Sequence, residues 1–222
     1  MKVTKALLVV LAAAAGLAAA GPARPAVPDE DGIAQDDSSS IAFVPGPSDI
    51  GGEEISICFD YGCASRATVR SSPAELAQVW SQFAAADSPL AERRAIARAM
   101  AWLYFYAGLQ SPIWRDRGGN FDDDDTRPGR MDCIDHSTNT TAYLSLMERR
   151  GWLRFHGVGD RVQRGWMFSA HWGARIVERA TKHEWVVDTW FLDPGQPATI
   201  YPLKAWLGGA RPRGTEIVRF PQ

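Results

Sequence analysis

The order of apolar and polar positions divides the chain into four stretches. Lys2 and Lys5 precede an apolar run, Ala6 to Ala20, that ends in the small residues Ala18-Ala19-Ala20. This is the pattern of a secretory signal peptide, residues 1–20, cleaved after Ala20. At about 15 residues, and broken by Gly16, the run is shorter than the roughly 20 that span a bilayer, so no membrane association is expected once it is removed. Residues 21–52 are rich in Pro, Gly, Asp and Ser, have few large apolar side chains, and read as a flexible linker. Residues 53–222 then make one domain with one core.

Within that domain the period of the pattern changes. Ile55, Ile57, Phe59, Tyr61 and Val69 predict an early strand pair or an edge strand between Glu54 and Val69. Ser72-Pro73-Ala74-Glu75 is a capping box with proline at the first helical position, and Leu76, Val79, Trp80 and Phe83 mark one face of the helix it opens. Ser88-Pro89 starts a second helix in which Ile96, Met100, Leu103 and Ala107 recur up to Gly108, with Glu92, Arg93, Arg94 and Arg98 on the remaining positions of its first half. Gln110 to Arg130, with Asp122-Asp123-Asp124-Asp125, reads as a loop. A third helix begins at Asp132-Cys133-Ile134-Asp135, capped by Asp132, and runs to Gly151. From there the pattern is β: Trp152 to Val158, Trp166 to Val177, Glu184 to Phe191, Thr199 to Leu203 and Glu216 to Phe220. Helices first and strands later predict an α+β fold with an antiparallel sheet.

Charge and cysteine content narrow the function. Loss of the signal takes the balance from 24 cations against 26 acids to 22 against 26, a net charge moving from −2 to −4. With no basic stripe, nucleic acid is not an expected partner. Cys58 and Cys63 lie close in sequence and, in an exported protein, periplasmic or secreted, are expected to pair. That leaves Cys133 as the spare thiol, in the first turn of a helix where free N–H groups and the dipole favour a thiolate. Asp132 and Asp135 oppose this with negative charge, so a cation is needed nearby.

His171 is the candidate to supply it. A turn centred on Ala180-Thr181 makes the numbers of paired residues sum to 361, which sets His171 opposite Trp190 and puts Asp188 on the same face, on the diagonal. A one-residue slip would break that arrangement. Asp188, inside Trp185-Val186-Val187-Asp188-Thr189-Trp190, also needs a partner if buried. Cys133 as nucleophile, His171 as base and Asp188 as the residue orienting the imidazole form the candidate catalytic set.

The residues Asp132-Cys133-Ile134-Asp135, His171-Trp172 and Val187-Asp188, in that order, resemble the transglutaminase-like branch of the papain-like cysteine enzymes, and most closely the bacterial transglutaminase-like cysteine peptidases. The resemblance spans roughly Met131 to Trp206. It implies a papain-like core and acyl transfer from a protein or peptide amide through a thioester at Cys133, by a peptidase, amidase or transglutaminase. It requires no cofactor, although it raises Asp132 and Asp135 as calcium candidates. One oxyanion donor would be the Cys133 N–H. Gln110, Trp114 and Asn120 are available for the second without a deciding motif.

Two other readings use the same residues. Cys133 and His136, with His171 or His156, could bind zinc, though this gives Asp188 no role. Alternatively, a non-catalytic module could hold a peptide in a tryptophan-lined cleft on the same fold. His136, His156 and His183 otherwise read as surface or core histidines, and Asn139 as a structural hydrogen-bonding residue. Oligomeric state is not legible.

Overall fold

The computed structural model describes residues 51–120 and 128–212. The expected signal peptide, nearly all of the linker, the acidic run Asp122–Asp125 and the strand expected at 216–220 lie outside the described residues. The chain is α+β. A hairpin of β1 (Glu53–Phe59) and β2 (Ser65–Ser71) leads into α1 (Pro73–Ser81) and α2 (Pro89–Gln110). A short 3-10 turn, Pro112–Arg115, follows, and then α3 (Cys133–Arg149). β3 (His156–Arg164), β4 (His171–Glu178), β5 (Glu184–Asp188) and β6 (Thr199–Pro202) form an antiparallel meander that ends in α4 (Leu203–Leu207). None of the described helices is long and apolar enough to cross a membrane.

The helix starts follow local chemistry. Ser72 and Glu75 make the reciprocal bonds of a capping box at α1, and Ser88 caps α2. α3 has its own box, Asp132 with Asp135. The core gathers Leu76 and Val79 of α1, Phe83 just beyond its end, Ile96, Met100 and Leu103 of α2, Tyr143, Leu144 and Met147 of α3, and Ala174, Ile176 and Val187 of the meander.

The disulfide Cys58–Cys63 closes the β1–β2 loop, and α3 grips that loop. Asn139 pins Cys58 through both backbone groups, its Oδ1 accepting from the Cys58 N–H and its Nδ2 donating to the Cys58 carbonyl, each at 2.8 Å. Asp135 accepts from the N–H groups of Tyr61 (2.9 Å) and Cys63 (2.6 Å). The structural role expected for Asn139 is therefore met.

Register in the meander places the candidate residues. The β4–β5 pairs run from Ala174 with Val187 to Val177 with Glu184, all on the expected sum, and the turn closes with the Glu178 N–H donating to the His183 carbonyl at 2.8 Å. β3 carries an irregularity between Gly159 and Val162. Beside it, Arg161 turns onto α3, its guanidinium donating to the Thr138 hydroxyl at 2.7 Å and the Ser137 hydroxyl at 3.2 Å.

Two expectations need correction, both concerning where strands begin. Glu92 is fully buried, and its carboxylate accepts the N–H groups of Arg154, Phe155 and His156 and contacts His156 Nδ1 at 2.8 Å. Because those backbone donors go to Glu92, the strand expected from Trp152 starts only at His156, and it runs on to Arg164. The strand expected from Trp166 starts at His171, because left-handed backbone at Gly165 (φ 69°) and Met167 (φ 50°) makes a tight turn first. Replacing Glu92 with alanine should leave the buried His156 N–H and the partly buried Arg154 and Phe155 N–H groups without their acceptor and cost about 3 kcal/mol or more in chemical denaturation. A loss under about 1 kcal/mol would contradict this role.

Candidate functional site

The sheet end carrying His171 and Asp188 lies against the start of α3. His171 Nε2 is 2.7 Å from Asp188 Oδ2, with both residues buried at 6% and 2% exposure. A charge so far from water needs several donors. Asp188 Oδ2 also accepts from Trp206 Nε1 at 2.8 Å, and Oδ1 accepts from the Trp190 N–H at 3.2 Å. Trp190, Phe191 and Trp206 surround the imidazole at ring distances of 4.9, 5.3 and 5.5 Å. Arg164 fastens Trp206 from behind by donating to its carbonyl at 2.6 Å.

Gly173 lets the indole approach this closely. A Cβ there would stand 2.4 Å from a Val186 methyl and 3.1 Å from the Trp206 ring. Trp206, buried and bonded to Asp188, is a site residue that the sequence reading missed. Nothing in Leu203-Lys204-Ala205-Trp206-Leu207 announces a partner that far back along the chain.

Cys133 is the free cysteine among the described residues and is partly exposed. Its Sγ lies 3.9 Å from the Ala170 carbonyl oxygen, and the Trp172 N–H also favours the thiolate. The sulfur is thus held by the two residues that flank His171. Burial is the largest influence on the thiol and pushes its pKa up; Asp132 and Asp188 add to this, while the Trp172 and Cys133 N–H groups oppose it. The site therefore favours a protonated thiol at rest, whereas the helix start alone suggested a thiolate.

Asp132 and Asp135 have defined tasks. Asp132 Oδ1 accepts from the N–H groups of Ile134 and Asp135, and its Oδ2 accepts from the Gly62 N–H. Asp135 binds the disulfide loop and the Asp132 N–H. A calcium ion at these oxygens would have to displace N–H donors, which cannot coordinate a cation. The group Cys58, Cys63 and Asp135 is close enough to resemble a metal site, but both sulfurs are in the disulfide.

The proposed zinc ligands do not converge. His136 is buried with Nε2 at 2.9 Å from Asp116 Oδ2 and Nδ1 at 3.0 Å from the Thr189 hydroxyl. His156 is held by Glu92 near the Glu178 end of β4, while His171 starts that strand. His183 lies exposed in the β4–β5 turn.

Asp116, His136, Thr189, Thr140 and Tyr104 form a buried polar chain joining α2, α3 and the end of β5. Asp116 also accepts from the Met131 N–H at 2.7 Å and so fixes the approach to Cys133. In the sequence Asp116 falls within the stretch that reads as a loop. Of the oxyanion candidates, Gln110 is bonded to the Arg70 backbone, Trp114 lines a groove with Phe105 and Leu109, and Asn120 sits beside Asp116.

Neither a family model nor a curated protein nor a solved structure matches this chain.

Burial, with the Asp132 charge, raises the Asp135 carboxyl to about 6, against the pull of its three N–H donors. The folded protein holds this proton more tightly than an unfolded chain, where aspartate titrates near about 3.9. The associated stability is full below about pH 4 and is lost as pH rises through 6. Asp132→Asn keeps a capping side chain and removes the charge. It should move this loss to lower pH in thermal denaturation, and should also shift the alkylation profile of Cys133 to lower pH. If neither profile moves, the electrostatic role of Asp132 is wrong.

Proposed function

We propose that the protein is an exported, cysteine-dependent acyl-transfer enzyme acting on amide or peptide bonds, of the transglutaminase-like, papain-like type. The observation that carries this reading is the buried His171–Asp188 pair at the strand end whose flanking backbone groups touch the sulfur of Cys133. His171 spends Nε2 on Asp188, which leaves Nδ1 to exchange a proton with the thiol. The short loop disulfide is compatible with an oxidising compartment, periplasmic or extracellular.

The reaction starts from a protonated thiol. His171 takes the Cys133 proton as the sulfur attacks the amide carbon, forming the C–S bond and placing negative charge on the carbonyl oxygen. The Cys133 N–H, at the first position of α3, is one donor for that oxygen. Collapse breaks the C–N bond, and the amine leaves with the proton from His171. Water or an amine, deprotonated by His171, then attacks the thioester, releases the acyl group and returns the thiol. Asp188 holds the ring in place throughout, and the reaction needs no cofactor.

Purified protein incubated with casein, with and without an alkyl amine, tests this reading. New peptide termini or incorporated amine should appear and fall at least about 1000-fold in Cys133→Ser and in His171→Ala. Turnover that survives either substitution would exclude the mechanism. Peptide binding that persists in both variants, with no turnover in the wild type, would favour the non-catalytic module.

A further inference from the structure

The turn that joins β4 to β5, at the opposite end of β4 from His171, forms one wall of a cavity of about 590 Å³. Lys182 and His183 line it from the turn, Trp185 from β5, and Leu203, Lys204 and Leu207 from α4. An apolar wall carrying a few polar groups, around a space of this size, is the make-up of a small-molecule site. Leu203 and Leu207 stand one helical turn apart and supply the apolar part together with the Trp185 ring. The polar part is cationic. Among the described residues that line the cavity the one acid is Glu184, and Arg175 engages it at 2.6 Å. Lys182 and Lys204 therefore share one cavity with no carboxylate of its wall left to neutralise them, and a cleft lined by charge of one sign draws in the opposite sign.

Both walls are built from bonded parts. Lys182 has a left-handed φ of 61°, uncommon for a residue with a side chain, and its N–H donates to the Glu178 carbonyl at 2.8 Å. Beside it the His183 N–H donates to the Thr181 hydroxyl at 3.2 Å, and that hydroxyl donates to the Glu178 carboxylate at 2.9 Å. The Arg93 guanidinium lies 3.7 Å from the centre of the Trp185 ring and is itself bonded to Glu178 at 3.1 Å. α4 is anchored by Trp206, fully buried and donating to Asp188 at 2.8 Å. The backbone that carries the lysines and the apolar side chains is thus set before anything binds, so a ligand need not order a loop.

We propose that this cavity binds a small carboxylate with an apolar body, its charge met by Lys182 and Lys204 and its body lying against Trp185, Leu203 and Leu207. The site does not depend on the chemistry of Cys133. Charge and apolar surface are both needed to choose the ligand. An uncharged molecule of the same shape leaves the two cations unpaired, and a bare hydrated anion gains nothing from the apolar wall.

Titration calorimetry of the full chain with octanoate, octanamide and acetate at one ionic strength tests the site. Octanoate should bind saturably at one site. Octanamide and acetate should each bind at least roughly tenfold more weakly, the first for want of charge and the second for want of apolar surface. Lys182 and Lys204 are both exposed, so Lys182→Gln/Lys204→Gln should leave the thermal midpoint unchanged while octanoate binding falls to the level of octanamide. Absence of saturable octanoate binding overturns the site. So does octanamide or acetate binding as tightly as octanoate, or an octanoate affinity that is unchanged in the double variant.

Discussion

The carboxylate of Asp188 sits almost out of reach of water at the end of β5, and such a group is tolerated only where donors converge on it. Its donors come from separate parts of the chain: the imidazole that starts β4, the indole of α4 and the backbone of Trp190. Bringing them together fixes much of the molecule. The β4–β5 register must be the observed one, Gly173 must lack a side chain, and α4 must fold back so that Arg164 can hold it. The position of His171, and hence of anything it could do for Cys133, follows from satisfying that one charge.

A second set of constraints holds α3 in place on the other side of the site. Asn139 and Asp135 tie it to the disulfide loop, Arg161 ties it to β3, and the chain through His136 ties it to Thr189, the residue after Asp188. Cys133 and His171 therefore sit on two elements that are bonded to each other by paths away from the sulfur. Such bracing is what a thiol and a base need if proton transfer is to occur over hydrogen-bond distance.

The parts legible in the sequence are those set by neighbours along the chain. The capping box at Ser72, the cap at Asp132, the pairing of Cys58 with Cys63 and the hairpin register around Ala180-Thr181 all depend on local spacing, and the structure has them. The parts that escaped depend on partners distant in sequence. Glu92 reads as one more charge on a helix, and only the fold reveals the backbone donors it serves. Asp116 and Trp206 were hidden for the same reason. The turn at Met167 escaped because its left-handed backbone is held by Ser169 in a run that otherwise looks like continuous strand.

Whether the arrangement is chemical or merely structural turns on communication between Cys133 and His171. Burial and two aspartates raise the thiol, so an imidazole that serves it must lower the pH at which it reacts. The direct measurement is the rate of iodoacetamide alkylation at Cys133 against pH, in the wild-type chain and in His171→Ala. If the imidazole serves the thiol, the profile moves to higher pH by about one unit or more when it is removed. Superimposable profiles would mean that His171 and Asp188 form a structural pair and that Cys133 is an ordinary buried thiol.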